Sequence, residues 1–154
     1  MKRLFLYTLL AAIASCSAFI IHVLTVEWLP SWISQQMSGK NITPSWNVRY
    51  VAALTSIEYG IGAVLLYLAA RQTLIRYIVF YRAVFLSVCL AMVSGAFIRQ
   101  PLMDVVVGNP LHVAVVQNLF KWLVWMLLGF VVVYGVEAIN KALKQGHNKA
   151  VPLS

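Results

Sequence analysis

Residues Leu4 to Leu24 read LFLYTLLAAIASCSAFIIHVL, an apolar run of the length that crosses a hydrocarbon core of about 30 Å when wound as an α-helix. Three more such stretches follow, at about residues 50–70, 74–98 and 113–139. Hydrocarbon offers the backbone no hydrogen-bonding partner, and a helix satisfies its N–H and C=O groups within one segment. The pattern therefore predicts an all-α integral membrane protein. It is read as a four-helix bundle in one transmembrane domain over residues 1–154, ending in a polar tail over 140–154.

Composition agrees with that solvent. Of 154 residues, 62% are apolar and only 10% charged, whereas soluble domains carry about a quarter charged residues; the mean hydropathy is +0.83. Four spans and their short connections leave no room for a soluble domain. Twelve Lys and Arg against four Asp and Glu give a net charge of +8, which in a soluble chain would suggest nucleic acid. Here the basic residues stand in small groups near span ends instead of on one element, so a nucleic-acid partner is not expected. Membrane topology accounts for them better.

Lys2 and Arg3 before an apolar core also describe a signal peptide, and Ile13-Ala14-Ser15-Cys16 resembles the lipobox of bacterial lipoproteins. The apolar run continues through Ser17-Ala18-Phe19-Ile20-Ile21, where a mature lipoprotein turns polar, so the segment is expected to stay as an anchor. Cys16 and Cys89 each lie in an apolar run with no metal-ligand spacing, and read as small packing residues. No metal or cofactor is expected of them.

The longest connection, Thr25 to Arg49, holds Trp28, Trp32 and Trp46 with Pro30, Gly39 and Pro44. Tryptophan favours the headgroup level, so these three are interface anchors, and a short helix along the outer interface is expected from Pro30 to Met37. Asn41-Ile42-Thr43 has the spacing of a glycosylation acceptor, weakened by Pro44. Gly108-Asn109-Pro110 turns the chain before the fourth span.

Orientation follows from the basic residues. Lys2, Arg3, Arg71, Arg76, Lys141, Lys144 and Lys149 fall on one side with Arg82 leaning that way, against Lys40, Arg49 and Arg99 on the other. The richer side is cytoplasmic. Both termini are then inside, the chain sits in the inner (cytoplasmic) membrane, and the Trp-rich segment is outside.

Lipid gives no hydrophobic reward for helix association, so contact relies on small residues and polar groups. Span two carries Ala52, Ser56 and Gly60 on one face, and span three Ser87, Ala91 and Gly95. The short connection around Arg71 to Leu74 makes these spans antiparallel neighbours, and the two faces are expected to meet. Span one offers Ala11, Ser15 and Ala18.

Charged groups at depth are costly unless paired or hydrated. Arg82 can snorkel to the inner headgroups. Glu58 lies nine residues after Arg49, about 13 Å below the outer surface at helical rise, and Lys121 reaches a similar depth in span four. The two are expected to pair, with Gln117, Asn118, Thr55 and Ser56 completing an intramembrane polar cluster. Three readings of it are open: a structural ion pair, a hydrated vestibule or ion path in which Glu58 titrates, and a redox site in which His22 and His112 are axial haem ligands. Glu137 is placed for a helical pair with Lys141, and Asp104 for a loop pair with Arg99.

No HxxxH, GxSxG, Ser/His/Asp set or phosphate-cradling glycine loop is present, so enzymatic activity by this chain alone is not expected. The favoured reading is a small inner-membrane subunit or scaffold that self-associates or joins a larger membrane complex, with the bilayer and other membrane subunits or copies of itself as partners. The alternatives are a small oligomeric channel or transporter near Glu58 and Lys121, and a haem- or quinone-binding anchor.

Overall fold

The computed structural model describes residues 2–37, 48–106 and 109–150, and side chains over the same ranges except at 48–49, 51–52, 54–55, 106 and 146–150. Every regular element among the described residues is an α-helix: α1 (Lys2–Thr25), α2 (Leu29–Gln36), α3 (Val48–Leu74), α4 (Val79–Val93), α5 (Arg99–Val106) and α6 (Leu111–Ala150). Two of these, α1 and the Leu111–Gln145 stretch of α6, are long and apolar enough to cross a membrane.

α2 occupies the place expected of the short helix, with Pro30 in its first turn, where the missing N–H costs no helical bond. Two elements differ from expectation. The third apolar stretch, expected to run to residue 98, stops at Val93, so α4 measures about 22 Å at helical rise. Its end is chemically specified. Gly95 takes a left-handed φ of +72°, Ala96 N–H donates to Ala91 O at 2.8 Å and Gly95 N–H to Met92 O at 2.9 Å, the double closure of a Schellman motif. Gly95 thus terminates a helix and does not extend a packing face. The chain then forms α5 where a plain loop was expected. At the other extreme α6 carries on through the tail as one helix to Ala150.

The core joins four helices, with Ala83 and Leu86 as the contribution of α4. Leu10 and Ala14 of α1, Ala63, Val64 and Tyr67 of α3, and Leu128, Val132, Val133 and Val136 of α6 are buried together. α1 lies against both α3 and α6, α4 rests on α6, and α3 and α4 barely touch. The expected meeting of the α3 and α4 small-residue faces is therefore wrong. Gly60 instead faces α1: a methyl group placed on it would stand 2.6 Å from the Ala11 carbonyl oxygen, beside Ser15. Ser87 of α4 faces α6, where a methyl on Gly129 would lie 2.9 Å from the Ser87 backbone nitrogen. The Ser87 hydroxyl donates to Ala83 O at 2.9 Å and to Met126 O at 3.3 Å. Small residues permit close approach to any helix with a matching small stripe, and the α1 stripe competes successfully for α3. Ser56 and Ala91 are buried; the Ala52 side chain lies outside the described residues.

Tyr7 of α1 donates to Asn140 Oδ1 of α6 at 3.3 Å, so the start of α1 lies beside the late part of α6. We call this the terminal end. α2, α5 and the start of α6 form the opposite, loop end.

Candidate functional site

Polar side chains gather at both ends. At the loop end, α5 sets Asp104 against α6. Asn118, buried at 1% exposure, donates from Nδ2 to Asp104 Oδ2 at 2.7 Å and to Ala114 O at 2.7 Å; its Oδ1 has no partner among the described residues. Lys121 Nζ lies 3.7 Å from the same Asp104 Oδ2. The Lys121 side chain is 41% exposed, and an exposed pair at that separation contributes about 0–1 kcal/mol. These groups border a cleft of about 710 Å³ lined by α1, α2, α5 and α6 side chains, among them His22, Thr25, Gln117, Asp104 and Lys121, with Ile21, Ile33 and Phe120 as apolar wall.

The expected Glu58–Lys121 pair is absent. Glu58 is exposed and no cation among the described residues pairs with it, while Lys121 turns to Asp104, which also displaces the expected Asp104–Arg99 pair. The two helices do approach at this depth, since Tyr59 meets Trp125 edge-on at 5.0 Å. Glu58 stands one position away, about 100° around the helix, and points elsewhere. Along the helix axes Glu58 and Lys121 lie within about one turn of each other, but around the axes they point apart. Ser56 is buried, and the Thr55 side chain lies outside the described residues. His22 lines the cleft and stacks with Phe19 at 5.9 Å. His112 does not line it: its Nε2 lies 3.1 Å from Gln36 Oε1 and its ring meets Trp32 edge-on at 6.1 Å. Trp28 donates from Nε1 to Leu24 O at 3.0 Å and meets Phe120 edge-on. Trp46 lies outside the described residues. No group of three or more metal-ligating side chains forms among the described residues.

At the terminal end stands a cluster that the sequence reading missed. Glu137 accepts from Arg71 twice, Nε to Oε1 at 2.8 Å and Nη2 to Oε2 at 2.9 Å, the bidentate geometry that guanidinium planarity favours. The fully buried Tyr67 donates its hydroxyl to Oε1 at 3.0 Å, and Arg82 Nη1 lies 3.2 Å from Oε1. Arg82 also donates from Nε to Tyr77 O at 2.6 Å and from Nη2 to Ile75 O at 2.8 Å. It is buried, with side-chain exposure of 9%, and holds the α3–α4 turn instead of snorkelling. Glu137 likewise joins α3, α4 and α6 instead of pairing with Lys141. Equal depth was legible, since Arg71 follows span two and Glu137 lies two residues before the end of span four. Adjacency of α3 and α6 was not.

Comparison of the chain with family models, curated proteins and solved structures finds no match.

Proposed function

We propose that the chain is a multi-pass inner-membrane subunit, with α1, α3, α4 and α6 crossing the bilayer, α2 along the outer interface and both termini cytoplasmic, and that it works in assembly with copies of itself or other membrane subunits. The membrane location is supported by the surface of the two long apolar helices. Only 28% of each apolar window is buried, whereas a core helix of a soluble protein hides its apolar residues from water. α4 is shorter than the hydrocarbon core, and Arg76 and Arg99 at its flanks reach the two surfaces by snorkelling.

The observation that carries the subunit reading is the position of α4. It rests on α6 and leaves Phe80, Val84, Phe85, Val88 and Met92 exposed, an apolar flank continuous with a groove against Trp122 and Trp125 of α6. A second protein helix covers such a flank with shape-matched contacts that mobile acyl chains do not match. Cysteine substituted at Val88 should form cross-links in native membranes, to another copy or to a fixed second subunit. A single mass equal to one chain in nanodiscs, with no Val88 cross-link, overturns the reading.

A second reading, a small channel or transporter, is favoured by the loop-end cleft, which collects His22, Gln117 and Lys121 beside an open mouth. Proton or chloride flux into liposomes would then fall with Lys121→Met and stay unchanged with Glu58→Gln. Absence of flux above empty liposomes removes this reading.

A further inference from the structure

The terminal end carries more positive charge than its own carboxylate neutralises. Glu137 faces two guanidinium groups, Arg71 and Arg82, so the cluster keeps one net positive charge. Beside it, Arg76 is exposed and pairs with no carboxylate among the described residues; its guanidinium carbon sits 5.2 Å from the centroid of the Tyr77 ring, a cation–π placement that holds it near the α3–α4 turn. Between these groups lies a cleft of about 520 Å³, lined by Thr73, Leu74, Arg76, Tyr77, Tyr81, Arg82 and Phe85. No acidic residue lines it. Two arginines, two phenols and a threonine hydroxyl border one space, and Glu137, the carboxylate nearby among the described residues, is already held by three side chains.

From this we infer that the cleft binds the phosphate headgroup of an anionic phospholipid, with Arg76 as its exposed cation and Arg82 as a fixed, buried one. Guanidinium matches phosphate oxygens in geometry and in charge. Tyr77, Tyr81 and Thr73 add hydroxyl donors of the kind that a glycerol or phosphate oxygen accepts. A free anion would satisfy the arginines but leave the rim uncovered. Phe85, which lines the cleft, and Ile75 and Ile78 of the adjoining turn are each more than half exposed, and acyl chains attached to the headgroup cover such apolar surface. The inference rests on the membrane reading above, which puts this end at the cytoplasmic leaflet, where anionic lipids provide a negative surface. Arg82 then has two roles from one position: two hydrogen bonds and an ion pair hold the turn and Glu137, and the same side chain lines the cleft.

The test uses the full-length protein purified in a neutral detergent and offered phosphatidylglycerol or phosphatidylcholine, with bound lipid read by native mass spectrometry. Phosphatidylglycerol should be retained in preference at a stoichiometry of one per chain. Arg76→Gln should weaken its binding about fivefold and Arg76→Glu about 25-fold, the effect of removing and of reversing one charge near the surface, while Arg76→Lys keeps most of it. Arg99→Gln, at the opposite end, should leave it unchanged. Arg76 is exposed and holds no other element, so these variants keep the helical circular dichroism of the parent. Equal retention of the two lipids, insensitivity to Arg76→Glu, or an equal loss with Arg99→Gln overturns the inference, as does full displacement of the lipid by excess inorganic phosphate, which would mark a free-anion site. Alkaline carbonate washing of membranes separates the two levels. A chain that stays with washed membranes but shows no headgroup preference refutes the lipid site alone, and a chain released by carbonate refutes the membrane reading beneath it.

Discussion

Each end of the helix packing holds a carboxylate on α5 or α6 with described partners, and the two carboxylates are treated differently. Glu137 at the terminal end is held by a bidentate arginine, a second arginine and a buried phenol drawn from three helices. Asp104 at the loop end is held by one buried amide and a lysine at 3.7 Å, next to an open cleft. Planar guanidinium groups fix direction, whereas an ammonium on a flexible stem acts as a point charge that moves at little cost. One end is therefore a clasp that fixes which helices are neighbours. The other is closed by a longer, more exposed pair beside a cleft.

The largest effect is expected at Glu137. Glu137→Gln leaves two arginines at the terminal end without their shared counter-charge, and should lower stability by about 3 kcal/mol, read as a fall in the midpoint of detergent-induced unfolding. A loss no greater than that of a surface substitution would show that the clasp does not hold the helices together.

Next in size is the helix contact that sets α1 between its neighbours. Gly60→Ala brings a methyl group against Ala11 and Ser15 and should cost about 1–3 kcal/mol. Gly62→Ala is the internal control, because its added methyl meets nothing within 4 Å; relieved of a helical glycine, it should be stabilised by about 0.5–1 kcal/mol. If both variants shift the unfolding midpoint alike, α3 does not pack on α1 through this face.

Asp104→Asn sharpens the contrast between the ends. It removes the charge facing Lys121 but keeps an oxygen for Asn118, so the loss should stay within about 1 kcal/mol and shrink with added salt. A loss as large as that of Glu137→Gln would make the two ends equivalent. Glu58→Gln should cause no loss by the same measurement, since its side chain is exposed and faces no cation among the described residues, and under the membrane reading removal of an unpaired charge in a span is neutral or stabilising.

The legible part of the site was position along the helices. Counting residues from span ends placed Lys121, Gln117 and Asn118 at one level and left Arg71 and Glu137 at another, and the loop-end cleft does collect Lys121, Gln117 and His22. What counting did not supply was the partner. Nothing in the sequence around Asp104 announces α5, and a count of residues does not distinguish the one helix position of azimuth that separates Glu58 from a match with Lys121. A long stem near a span end ordinarily reaches water, but two carbonyls of the α3–α4 turn and Glu137 hold Arg82 inside.

By itself the amino-acid order determined that the chain is helical, where α1, α2, α3 and α6 lie along it, and that its long apolar segments suit hydrocarbon. These properties are local: a helix closes its hydrogen bonds within one segment, and an apolar run is apolar wherever it packs. The tertiary structure alone decided that α3 turns its small face to α1, that α4 leans on α6, and that Glu137 gathers Arg71, Arg82 and Tyr67. Those choices compare the fit of several similar small-residue stripes against one another, and their outcome depends on all the helices at once.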